Sequence, residues 1–436
     1  MEFRDITNEL PLLKSYKTVF VDNQKYELLK IYRNGGRQFP IFTERVFAAT
    51  GSSPISFLYY RTREELDDAD PGRIFILERT DNSTDATRTR LYWVWLSPKL
   101  VAQFRANSAD SVSVKAHVLF HPRAGLEKYP AYWKGDVDPV KRPNFLELGA
   151  RYLCMEKHTV TQHFCAVRRS GTPGAYSQLE DKKSALDLMV VVPVSSARAY
   201  LSLGDPRELQ EVLQEIGRRC YQGVTSKLVP TNAVSLVRVA VSGYSRSGVV
   251  LRSLLDNTKA NEPFMRSILK EFYAFDVMLD EKNDKGQIVK TKVKGYEEFW
   301  ARLKVWQGED SDKKIRLYSA EPATVAAVYS ELQERLKRYG GGYHNSSVPF
   351  SRFNKTAKPG GSGTFSGLSD GYEIYSTDNS RCLVVLPFGN ARFYLSSENI
   401  ENPGGFQPGG DYEPWLEGHS WFVSRLQTHA LFHSGF

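Results

Sequence analysis

The stretch VAVSGYSRSGVVLRSLL, residues 239–255, decides how the rest of the chain is read. Small apolar residues suited to a buried strand open it, and an apolar, helix-like run closes it. Between them Gly243, Ser245 and Ser247 stand at alternate positions, with Gly248 directly behind. A residue at the apex of so sharp a strand-to-helix turn is forced into a strained backbone conformation. Its neighbours two positions away must be small, because strand and helix approach closely there. By size alone alanine would serve at Ser247 and valine would not. The turn lifts one hydroxyl above the sheet edge, and the helix behind it aims N–H groups and a positive dipole end at that hydroxyl. A phosphate-cradling loop, the other use of such a turn, would need lysine after the glycines, where Val249 stands.

Strand and helix patterns alternate on both sides of this stretch. GRIFILERTDNSTDATRTRLYWVWLS reads as two strands joined by a polar turn, and VSVKAHVLF (112–120) as a third ended by His121 and Pro122. Residues 146–164 are too long for a strand and read mainly as helix, whereas ALDLMVVVPV (185–194) is apolar on both faces and reads as a covered strand. Asp205 as N-cap, Pro206 at the first helical position and the stripe Leu209, Val212, Leu213 and Ile216 give the clearest helix. Strands at 234–241, 271–279, 314–319 and 381–388 then alternate with helices from about 246, at 296–306 and at 322–339, and a last helix follows. Repeated strand, helix, strand units imply right-handed crossovers. The expected fold class is α/β, a mostly parallel central sheet with helices on both faces. Residues 1–70 are expected to pack on the core as an extension of a catalytic domain at 71–436, which carries a Gly-, Ser- and Pro-rich insertion at about 340–371.

With 436 residues, 41% of them hydrophobic, the chain can bury a large core. Its net charge of +8 arises from 58 basic against 50 acidic residues, interspersed, with basic clusters as short as Arg218–Arg219 and Lys313–Lys314. That pattern describes a solvated surface, and no nucleic-acid partner is expected. Cys154, Cys165, Cys220 and Cys382 form no CxxC pair, so reduced thiols are expected. No basic-then-apolar leader opens the sequence, and no run approaches the ~18 apolar residues of a membrane span. A soluble, cytoplasmic protein is the expectation.

The GYSRSG turn, placed after a buried strand and before a helix with further strands and a late histidine to follow, resembles the α/β-hydrolase superfamily, whose nucleophile elbow is written GxSxG. Ser247 stands where the second glycine is usual. The resemblance covers roughly residues 70–436 and implies a nucleophile at Ser245, with the backbone N–H of Arg246 lining an oxyanion hole. The second oxyanion donor would come from the end of the strand at His121. Pro122 has no N–H, so the donor is His121, Arg123 or a group elsewhere. The family order of nucleophile, acid and histidine implies a late base, and His419, behind a glycine-rich loop, is expected in that role. His429 and His433, at i, i+4 spacing, lack a third ligand nearby and read as a packed or solvated face. His158 and His163 precede the serine and read as packing residues, and His117 as a core histidine.

Two carboxylates compete for the acid. Glu321, just past a later strand, occupies the commoner family position. Asp276, in the apolar run YAFDVML, is placed first because a carboxylate there is costly unless partnered. The implied activity is a serine hydrolase acting on an ester or related acyl substrate, without cofactor or metal. The same site also serves acyltransferases, thioesterases and peptidases, and an inactive binding or scaffolding protein could keep the architecture. Tyr59, Tyr60, Trp93, Trp95, Phe299, Trp300 and Trp306, among aromatics that make up 12% of the chain, suit either an acyl pocket or the core.

Overall fold

The computed structural model describes residues 1–7, 72–80, 91–106, 112–121, 187–194, 202–279 except 228, 231 and 232, 294–319 and 434–436 with their side chains. It also describes single residues between 149 and 163 and between 427 and 431, and the backbone of further strands. In chain order the main sheet contains β1 (Phe3–Asp5), β2 (Arg73–Arg79), β3 (Leu91–Leu96), β4 (Val112–Phe120) and β5 (Met189–Val194). It continues with β6 (Val234–Tyr244), β7 (Leu269–Phe275), β8 (Lys314–Tyr318), β9 (Ser346–Val348), β10 (Gly371–Ser376) and β11 (Cys382–Phe388). The helices are α1 (Pro98–Ala106), α2 (Pro206–Thr225), α3 (Gly248–Asp256) and α4 (Val293–Gly308).

Across the sheet the order is β1-β2-β3-β5-β4-β6-β7-β8-β11-β10-β9. The six strands from β5 to β11 run parallel, while β1, β2 and β3 on one flank and β10 and β9 on the other are antiparallel to their neighbours. The parallel centre is the expected α/β arrangement, and the antiparallel flanks extend it. Edge strand β9 comes from within the Gly-, Ser- and Pro-rich segment, and β1 brings the N-terminus onto β2. Residues 18–44 form a three-stranded antiparallel sheet of their own.

These four helices, among the described residues, lie on one face. Alternation along the strands sends Ala116, Val118, Val239, Val241, Phe272, Ala274, Ile315 and Leu317 to that side. There they share one core with Leu209, Val212, Leu213 and Ile216 of α2, Leu251 and Leu254 of α3, and Leu303 and Trp306 of α4. Burying each of the Val, Leu, Ile and Phe side chains among them stabilises the fold by roughly 1.5–3 kcal/mol. Helix α2 starts where its sequence dictates: the Asp205 side chain accepts from the Arg207 N–H at 2.8 Å, and Pro206 fills the first turn. Its Arg218 and Arg219 both pair with Glu215, which makes that basic cluster part of the helix surface. The opposite face carries Arg238, Ser242, His117, Glu271 and Tyr273. It is covered by His163, by the chain's last residues Gly435 and Phe436, and by Gly149, which lies against Trp93. Of residues 146–164, those described (Gly149, Tyr152, Leu153, Thr159 and His163) are helical.

The connections fix where a site can form. From β4 the chain goes to β5 on one side, and from β6 to β7 on the other, while β4 and β6 are themselves neighbours. Their carboxyl ends therefore flank the point at which the strand order reverses, where open α/β sheets form their binding crevice.

Candidate active site

Four parallel strands end level with one another at this point. Phe120 of β4 pairs with Gly243, Tyr244 of β6 with Phe275, and Phe275 of β7 with Tyr318 of β8. The next residues on these strands are His121, Ser245, Asp276 and Ser319. Neighbouring strands lie about 4.8 Å apart, so the four occupy successive places along one edge.

Ser245 sits at φ 55°, in the left-handed region, between the extended Tyr244 and a short turn leading into α3. The packing explains the residue types around it. A Cβ on Gly243 would lie 2.8 Å from Leu251 Cδ1 of α3, and one on Gly248 would lie 2.6 Å from Val277 Cβ. Both positions need glycine because helix and strand ends close on them. Ser247 does more than fit. Its Oγ accepts the Tyr244 N–H at 2.7 Å, and its single hydrogen is shared between the carbonyls of Phe120 at 2.7 Å and Tyr244 at 2.8 Å. The hydroxyl thus ties the turn to the end of β4, which changes the expectation that alanine would serve equally well there. Arg246 is exposed at the apex. Ser245 Oγ has no hydrogen-bond partner among the described residues.

Asp276 corrects the sequence expectation in one respect: it lies just beyond its strand. Strand β7 ends at Phe275, and Asp276 turns away at φ 45° with 1% exposure. Its N–H donates to Tyr318 O at 2.6 Å, and Ser319 Oγ donates to its Oδ1 at 3.2 Å. Met278 N–H donates to Ser245 O at 2.8 Å, so the strained turn at the aspartate is fastened directly to the strained turn at the serine. The only other non-glycine residue at positive φ among the described residues is Ser226, a helix C-cap. Neither Ser319 nor the hydrogen bonds of Ser247 followed from the sequence reading, since both depend on which strands are neighbours.

His121 is fully buried at the end of β4, its ring stacked on Tyr152 at 5.2 Å and 17°. It stands one strand from Ser245, where a second oxyanion donor would be needed. Glu321, His419, Arg123, His158, His429 and His433 lie outside the described residues. Trp93, Trp95, Phe299, Trp300 and Trp306 are all core residues, at most 3% exposed. Tyr59 and Tyr60 fall outside the description.

A serine–imidazole contact lies behind this turn. His117 Nε2 meets Ser242 Oγ, and His117 Nδ1 meets His163 Nε2 at 2.8 Å. Ser242 is 0% exposed whereas Ser245 is 7% exposed, so of the two only Ser245 reaches the surface at all. Burial pushes His117 down to about 3. Burial, and then the charge His117 would carry, holds His163 well below its usual range. The pair is neutral and belongs to the core, as the sequence implies. Among the described residues no group of His, Cys, Asp or Glu side chains is placed to hold a metal ion, and no helix is long and apolar enough to cross a membrane. Cys220 is a buried free thiol whose pKa burial raises well above the usual value.

No protein-family model matches the chain, and no curated protein matches it. Among solved structures it is similar to an acetyl xylan esterase from Aspergillus awamori, with 10% identity and a TM-score of 0.31 over 72% of this chain and 93% of that one. It is also similar to esterase B from Lactobacillus rhamnosis, with 10% identity and a TM-score of 0.25 over 63% of this chain and 75% of that one. An inhibited form of the latter aligns at 12% identity and a TM-score of 0.23, over 60% and 70% of the two chains.

Proposed function

We propose that this protein is a serine hydrolase acting on an ester or related acyl substrate, with Ser245 as nucleophile, His419 as base and Asp276 as acid. The observation that carries this reading is the pair of strained turns at Ser245 and Asp276, joined by the hydrogen bond from Met278 N–H to Ser245 O, beside the point where the strand order reverses. Backbone strain of this kind, of order 1–3 kcal/mol per residue, persists where surrounding structure holds a functional group in place.

In the proposed reaction Ser245 Oγ bonds to the acyl carbon as its proton passes to the His419 imidazole. The carbonyl oxygen becomes an oxyanion facing the Arg246 N–H and the amino end of α3, with a second donor from the His121 end of β4. Breakage of the bond to the leaving group follows, and that group takes the proton from the imidazolium. Water then repeats the sequence on the acyl-serine, releasing the acid and restoring Ser245. Asp276 fixes the imidazole tautomer throughout.

The test is a fluorophosphonate probe combined with a short p-nitrophenyl ester. The folded wild-type protein is expected to be labelled at Ser245 and to hydrolyse the ester, and Ser245→Ala to do neither while keeping its far-UV circular dichroism. Label on Ser247 would show the register of the turn to be wrong. An unlabelled, inert wild type would favour a binding protein that keeps the architecture without the chemistry.

A further inference from the structure

We infer that, given the reading of Ser245 and Asp276 as nucleophile and acid, Ser319 is a positioning residue for that acid: its hydroxyl sets the direction in which the Asp276 carboxylate faces an imidazole. Asp276 leaves β7 in a left-handed turn, so the strand ladder no longer fixes its side chain. Two consecutive residues of the neighbouring strand end hold it instead. Tyr318 O accepts the Asp276 N–H at 2.6 Å, which brings Ser319 alongside, and Ser319 Oγ donates to Oδ1 at 3.2 Å.

Both side chains are out of water, Ser319 at 0% and Asp276 at 1% exposure, so solvent cannot take over the orienting role. A carboxylate has about four lone-pair sites, and the Ser319 hydroxyl takes one of them, at Oδ1. A hydroxyl suits this place better than lysine or arginine would. It fixes direction without adding a positive charge that would disfavour the imidazolium formed during turnover.

The experiment measures kcat and KM for a p-nitrophenyl ester in wild type, Ser319→Ala, Ser319→Thr, Asp276→Asn and the Asp276→Asn/Ser319→Ala double variant. Loss of one hydrogen bond to a charged group is expected to lower kcat of Ser319→Ala by about tenfold to a hundredfold. KM should stay within about twofold, because substrate binding is untouched. Ser319→Thr, which keeps the hydroxyl, should recover most of the rate. The double variant should be no slower than Asp276→Asn alone, since residues acting as one unit are not additive. If Ser319→Ala fails to fold, Ser319→Cys serves in its place, and its weaker donor predicts a rate between alanine and wild type. A Ser319→Ala rate equal to that of an active, probe-labelled wild type would overturn the role of Ser319 and leave the hydrolase reading standing. Multiplicative losses in the double variant would overturn it too, because an independent structural role predicts them. A wild type inert to both ester and probe would remove the hydrolase reading and the role of Ser319 together.

Discussion

Asparagine tolerates the left-handed region much as aspartate does, so Asp276→Asn removes the charge while leaving the turn at φ 45° in place. Ester hydrolysis by this variant is expected to fall by about 10³ to 10⁴, the loss seen when a triad acid becomes its amide. Its thermal midpoint should stay close to wild type, and Glu321→Gln should retain most activity. Steady-state rates of the two variants check this, and the reverse pattern would move the acid to the later strand end. The turn at Ser245 was legible in the sequence because the small residues around it are dictated by local sterics that spacing alone displays. The turn at Asp276 was not: YAFDVML looks apolar across the aspartate, and only its register against Tyr318 shows where the strand stops. Ser319 carries no local sign at all, since it meets Asp276 from 43 residues away.

Among elements, β4 and β6 are joined, where the chain turns into α3, through the one hydroxyl of Ser247. Ser247→Ala would leave the Tyr244 N–H and the Phe120 carbonyl without that hydroxyl in a site 1% exposed. The expected loss is about 1–3 kcal/mol of folding stability, read from urea denaturation. Unchanged stability would mean that the elbow is held by its glycine packing alone. Element identity was widely legible where a local rule applies. VSVKAHVLF is β4 residue for residue, and the Asp205–Pro206 start of α2 follows from capping chemistry. Helix α1 has no clear sign in the sequence because nine residues with Leu100, Val101 and Phe104 buried give too few turns for a period to stand out. The length of β6 was also understated, since Ser242, Gly243 and Tyr244 have no strong strand preference and are held by pairing to β4 and β7.

At the scale of the molecule, alternation of strands and helices announced a parallel sheet, but the reversal between β4 and β6 depends on long-range pairings that no local pattern encodes. The His117–His163 pair joins two separated parts of the chain, and Ser242, Tyr273 and Phe436 also face it. Because folding lowers these pKa values from 6.5, the unfolded chain takes up protons first as pH falls. The contribution of the neutral pair is therefore intact above about pH 6.5 and declines as pH falls below that, for His117 down to about pH 3 at up to ~1.4 kcal/mol per pH unit. Denaturation midpoints at pH 7 and pH 5 test this: the gap between wild type and His163→Gln should narrow at the lower pH, and a constant gap would show that the pair is not held neutral. On the same face the Gly435 N–H donates to Glu271 Oε1 at 2.8 Å, Arg238 grips that carboxylate, and the Phe436 ring lies under the guanidinium. A ribosome makes these contacts in the wrong order for early completion. The strands at the middle of the sheet emerge more than 150 residues before the partner that seals them, so a nascent chain stalled short of residue 434 must hold Arg238 and Glu271 under an unfinished cover. Quality control would then meet the protein as a nearly formed sheet with one wet, charged seam at its centre.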